Sequence, residues 1–130
     1  MTEDPIADDV RQFILENVDS VAHLEALLLL YHNPETGLSI DEIAGRLYID
    51  RQQAEEILTR LSELGLLSIT QKGVTSCRYQ PESAELKSQV ERLAETYSKY
   101  LIPVTNLIHS KPKTRVQEFA DAFKLKRRKK

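Results

Sequence analysis

The stretch from Leu38 to Tyr79 constrains the fold most, because two capped helical segments separated by a tight turn run directly into two short strand-like segments. Ser39 can accept from a first-turn amide while Glu42, three residues on, reaches back to the Ser39 amide, so a helix opens there. Within it Ile40, Ile43, Ala44 and Leu47 fall at helical spacing and form one buried stripe, leaving Asp41, Glu42 and Arg46 in water. Gly45 is small enough for another helix to approach. The turn Tyr48-Ile49-Asp50 ends in a second cap, Asp50, with Gln53 three residues later. From Arg51 to Leu64 the buried positions are Ala54, Ile57, Leu58, Leu61 and Leu64, and Gly65 is the stop, since only glycine enters the left-handed region there at no steric cost. Leu66–Thr70 then reads as a strand, Gln71–Val74 as a turn, and Ser76–Tyr79 as the returning strand of a wing.

These residues resemble the winged-helix transcriptional regulators of the multiple-antibiotic-resistance (MarR) type. The matching positions are Leu38, Glu42, Ile43, Ala44 and Leu47, then Leu61, Gly65, Leu66 and Leu67, and the resemblance covers about residues 20 to 80. It implies a mainly α fold: a three-helix core, a short β-hairpin wing and a C-terminal helical extension. It also implies a DNA-binding transcriptional regulator that reads a short (pseudo)palindromic site as a homodimer.

Around that unit, Val10, Phe13, Ile14 and Leu15 suggest a short amphipathic helix in an acidic arm, 1–19. Asp19 or Ser20 caps the first core helix, which runs through Val21, Leu24, Leu27, Leu28 and Tyr31 and ends before the turn formers of Asn33–Gly37. Its leucine run is more apolar than a one-sided surface helix needs, so cover on two sides is expected. The winged-helix domain thus spans 20–81. From Glu82 to His109 a long helix is predicted, the core of a segment 82–110, with Leu86, Val90, Leu93, Tyr97, Tyr100, Val104 and Leu107 spaced as an a/d seam of about three heptads. That seam either folds back on its own domain or forms a two-fold dimer contact; Pro103 predicts a kink or break near Leu101-Ile102. In 111–130, Val116, Phe119, Ala120 and Phe123 make one apolar stripe ahead of the basic end Lys124–Lys130.

A chain of 130 residues with 41% hydrophobic content can bury one core. The overall charge of −2 conceals a polarity: 1–19 holds six acids and one base, 20–81 eight acids and five bases, and 82–130 six acids and twelve bases. One cysteine, Cys77, cannot form an intramolecular disulfide, and the run Ala26–Tyr31 is too short to span a bilayer, so a cytoplasmic protein is expected. His23, His32 and His109 lack metal-site spacing, no glycine-rich phosphate loop follows a strand, and no nucleophile–base pattern occurs. The expectation is therefore no enzyme, no metal and no cofactor.

If the domain reads DNA, the second helix of the motif enters the major groove. Placing residues 100° apart puts Gln52, Glu56, Thr59 and Glu63 outward, flanked by Arg51, Glu55 and Arg60. Gln52 and Gln53 suit adenine edges and Arg51 a phosphate or guanine, whereas the glutamates oppose a phosphate-lined groove unless they accept from cytosine. The candidate DNA-contact set is Ser39, Arg51, Gln52, Gln53, Thr59, Arg60, and Lys72 and Arg78 of the wing. Two other classes compete: an adaptor whose acidic helix face docks a protein partner, and, less favoured, a membrane-surface sensor using Val116, Phe119 and Phe123 with the terminal bases.

Overall fold

A computed structural model describes residues 5–71 and 73–110 of the chain. Its elements are α1 (Asp8–Asn17), α2 (Val21–His32), α3 (Ile40–Leu47), α4 (Arg51–Glu63), β1 (Leu67–Thr70), β2 (Ser76–Tyr79) and α5 (Ala84–Lys99). A further helical stretch, α6, covers 101–110.

Local chemistry accounts for most of the helix ends. Ser20, not Asp19, caps α2: its Oγ accepts from the His23 amide at 3.1 Å, while the Asp19 amide donates to His23 Nδ1 at 2.9 Å. At α3 the capping box is complete, with the Glu42 amide donating to Ser39 Oγ and the Ser39 amide donating to Glu42 Oε1, both at 3.1 Å. Asp50 accepts from the Gln53 amide at 2.7 Å to open α4, and Ser83 accepts from the Leu86 amide at 3.1 Å to open α5. Between α3 and α4 the chain reverses through Tyr48, at φ 57° and ψ 43°, a left-handed conformation that only glycine and asparagine adopt readily. The Tyr48 and Ile49 amides both donate to the Ala44 carbonyl there. After α4, Gly65 takes φ +80°, and the Leu66 amide donates back to the Leu61 carbonyl.

β1 and β2 pair antiparallel with Leu67 opposite Tyr79 and Thr70 opposite Ser76. Leu38 adds an isolated bridge on the other side of β2, exchanging two backbone hydrogen bonds with Cys77 at 2.8 and 2.9 Å. The wing is thereby tied to the segment that enters α3.

One apolar core joins these elements. Leu24, Leu27 and Leu30 of α2 are buried with Ile43 of α3, Leu58 and Leu61 of α4, Leu66, and Val90 and Leu93 of α5. The leucine-rich helix is covered on more than one side, since α3, α4 and β2 all pack on α2. α1 packs on α5 through Val10, Phe13 and Ile14.

Several sequence expectations are corrected. Leu15 lies one position past the buried face of α1 and is 39% exposed. Among the described residues no atom beyond its own helix comes within 4 Å of a Cβ built on Gly45, so none of the described helices approaches it. The break expected near Leu101-Ile102 is present and falls at Tyr100 (φ −131°, ψ 53°), the residue before Leu101. The reason is Pro103: at the third position of α6 its missing N–H has no intrahelical acceptor, and the Val104 amide makes the first bond back to the Tyr100 carbonyl. The seam residues differ in exposure within this chain. Val90, Leu93 and Val104 are fully buried, Leu86, Tyr97 and Leu107 pack against the same core, and Tyr100 alone among the seam residues stays 40% exposed.

Candidate nucleic-acid interface

The outward side of α4 follows from its sequence: Ala54, Leu58 and Leu61 are buried and Ile57 half-buried, which turns Gln52, Glu55, Glu56, Thr59 and Glu63 to solvent. Among the described residues no other element covers this face; Gln52, Glu55, Glu56, Thr59, Arg60 and Glu63 line one shallow open depression. A cleft flanks it on the wing side, where Arg51 and Thr59 face Ile69, Gln71 and Thr75. Toward α2 a second cleft is lined by Gln53, Glu56 and Arg60 from α4 with Ser20 and His23 from the start of α2.

The predicted contact residues meet different environments. Gln52, Gln53 and Thr59 are exposed and available. Ser39 is half-buried and already engaged as the cap of α3. Arg51 is exposed but bound on two sides: its Nη1 donates to Asp41 Oδ1 at 2.5 Å and its Nε to Glu55 Oε1 at 3.1 Å. The hydrogen bond with Asp41 and that residue's charge, followed by Glu55, push the Arg51 guanidinium further above its ordinary range. Arg60 lies 3.8 Å from the Asp19 carboxylate that precedes α2. Arg78 is exposed on β2, and Lys72 lies outside the described residues, as do Val116, Phe119, Ala120, Phe123 and Lys124–Lys130.

Sequence reasoning missed Asp41 and Asp19 as partners of the two arginines. The Arg51–Glu55 pair had a readable signal in its i, i+4 spacing. Asp41 and Arg51 stand ten residues apart on different helices, and only the α3–α4 crossing brings them together. Tyr48 was read as a mere turn residue, yet its side chain is 95% exposed beside the start of α4.

His23 is 2% exposed. Cys77 is buried in β2, and burial raises its thiol above the ordinary range, away from the reactive thiolate. Among the described residues no group of three His, Cys, Asp or Glu side chains could hold a metal ion, and no helix is long and apolar enough to cross a membrane.

No family model matches the sequence, and no curated protein matches it. Solved structures do match. A single-site variant of MepR from S. aureus bound to an oligodeoxyribonucleotide superposes with a TM-score of 0.56 at 12% identity, over 88% of this chain and 86% of that one. YusO from Bacillus subtilis gives 0.54 at 13% identity over 90% and 82%. A MarR family protein from Bacillus stearothermophilus gives 0.53 at 16% identity over 92% and 81%. The fold is a winged helix-turn-helix, and the arrangement of its helices and wing is of the MarR type.

Proposed function

We propose that the protein is a DNA-binding transcriptional regulator that reads a short, two-fold symmetric site as a homodimer. The observation that carries this is the open face of α4: in a fold shared with a protein solved bound to an oligodeoxyribonucleotide, Gln52, Gln53 and Thr59 are exposed where a recognition helix meets base edges. Gln52 and Gln53 suit adenine. Arg51, Arg60, Lys72 and Arg78 supply phosphate contacts. The domain itself is acidic, so the bases of Lys124–Lys130 add the long-range attraction that the winged helix lacks. No step calls for a metal or cofactor.

A symmetric site needs a symmetric reader. The buried part of the seam is used within the chain, so the second copy contacts the apolar surface left at the α5–α6 junction, where Tyr100, Leu101 and Ile102 are 40, 50 and 64% exposed. Sedimentation equilibrium is expected to give a dimer that Ile102→Glu converts to monomer; a wild-type monomer at micromolar concentration removes the two-fold reader.

The alternative reading, a winged-helix adaptor for a protein partner, is favoured by one feature: both arginines of α4 already face carboxylates of their own chain, while Glu56 and Glu63 remain on the outward face. Fluorescence anisotropy with duplex DNA separates the two. A regulator binds more weakly as salt rises, with a log–log slope near −0.9 for each neutralised phosphate, and the slope shrinks when Lys126–Lys130 are deleted. Absence of binding at low salt, with random duplex and with DNA upstream of the gene alike, selects the adaptor.

A further inference from the structure

We propose that Asp41 is an internal competitor for DNA phosphate, one that occupies Arg51 until the duplex displaces it; this deepens the DNA-binding reading and rests on it. Asp41 stands in the first turn of α3, and Arg51 opens α4. Their side chains meet at 2.5 Å across the helix-turn-helix, and Glu55 closes on the other edge of the same guanidinium at 3.1 Å. The cation at the tip of the recognition helix is therefore surrounded by two carboxylates and carries no net attraction for an approaching phosphate.

Three features make this a displaceable contact. All three side chains keep about half or more of their surface in water (54% for Arg51, 75% for Asp41, 49% for Glu55), so the pairs are solvent-screened and individually weak. Glu42, the neighbouring acid, is committed to the capping box and leaves Asp41 as the acid of α3 that meets Arg51. Gln52 and Gln53, which follow Arg51, are uncharged, so base readout is untouched by the clasp. The consequence is a uniform attenuation: a phosphate must exchange with a carboxylate to engage Arg51, which lowers affinity for any duplex. Base contacts by the glutamines then carry a larger share of the affinity that remains.

The test is a double-mutant cycle on the full-length chain, read by anisotropy with a random-sequence duplex across a salt series. Asp41→Asn is expected to tighten binding about two- to fivefold, the size of one exposed charge contact, and to steepen the salt slope by about 0.9 per protomer. In an Arg51→Gln background the same substitution is expected to change nothing, because there is no guanidinium to release. A gain that persists undiminished in that background means simple charge repulsion and overturns the proposal, as does an unchanged or weakened affinity of Asp41→Asn in the wild-type background. A wild type that binds with no response to Asp41→Asn sinks this inference alone. Failure of every form to bind sinks the regulator reading with it. Circular-dichroism melts of each variant verify the fold, and Glu42→Gln is avoided because it would break the cap.

Discussion

α4 and α5 begin alike and end in different roles. Each opens with a side-chain cap, Asp50 or Ser83, and each carries one apolar stripe. α4 buries that stripe on α2, α3 and β1 and leaves its polar side open along its length. α5 packs on α1, its seam continues into α6 after the Tyr100 break, and Val90, Leu93 and Val104 are buried inside the same chain. The contrast teaches that apolar spacing tells which face is buried but not what buries it, whereas an uncovered polar face between two clefts marks the surface available to a partner.

The hardest way to break that contrast is to truncate one residue on each side of it. Leu93→Ala removes a fully buried side chain from α5 and is expected to destabilise by about 2–5 kcal/mol. Gln52→Ala on the open face of α4 is expected to stay within about 0.5 kcal/mol. Urea denaturation of the three proteins measures both. A small cost at Leu93 would mean that its side chain is loosely packed in solution and that the α5 stripe is not an anchored part of the core.

Next in size is the cap on the reading unit. Ser39→Ala deletes the acceptor for the Glu42 amide and is expected to cost about 1 kcal/mol. The same change at Ser83 deletes the corresponding bond at α5, with a similar cost. Unequal losses by the same urea assay would show that one of the two helices depends on packing more than on its own start.

Those caps are also the part of the molecule that could be read in advance. A capping box, an Asp–Gln pair three apart, and a glycine after the last leucine act over a few residues, so the limits of α3 and α4 and the strand Ser76–Tyr79 are legible without knowing the tertiary fold. The exposed face of α4 follows from the same periodicity. What was hidden depends on how elements cross: the Asp41–Arg51 and Asp19–Arg60 pairs and the Leu38–Cys77 bridge each join residues far apart in sequence. The seam was legible as a pattern and ambiguous as a contact, because a spacing of four and three is the same whether the covering surface belongs to this chain or another. Pro103 correctly announced a break, and the first-turn tolerance of proline moved that break to Tyr100.

A smaller effect tests the open side of α3. A mid-helix glycine costs roughly 0.5–1 kcal/mol relative to alanine through backbone entropy. Among the described residues Gly45 meets no atom that an added methyl would strike, so Gly45→Ala is expected to raise stability by about that amount. A loss of stability would mean that the α3 surface is covered in solution by something beyond this chain.

The smallest effect is alkaline and distinguishes the α5 side from the wing side through two tyrosines. The Tyr97 hydroxyl donates to Glu25 at 2.7 Å, and burial followed by that bond pushes it up to about 12. Tyr79, edge-on to Tyr31 at 5.4 Å, is pushed up to about 12 by burial first, with Tyr31 and Glu91 adding to it. Both native values lie above the ordinary value near 10, so the folded state holds these protons while the unfolded state releases them. Stability from either group is therefore complete below pH 10 and falls as the pH rises from 10 through 12. Denaturation midpoints at pH 9, 10 and 11 are expected to drop, and to drop less in Tyr97→Phe, which has no proton to lose. Tyr79→Phe should flatten the slope as well, without removing an ion-facing hydrogen bond, so its stability at pH 9 should change less than that of Tyr97→Phe. Parallel slopes for wild type and both variants would mean that neither hydroxyl is held by the fold, and that the bond from α5 to Glu25 of α2 contributes nothing to their packing.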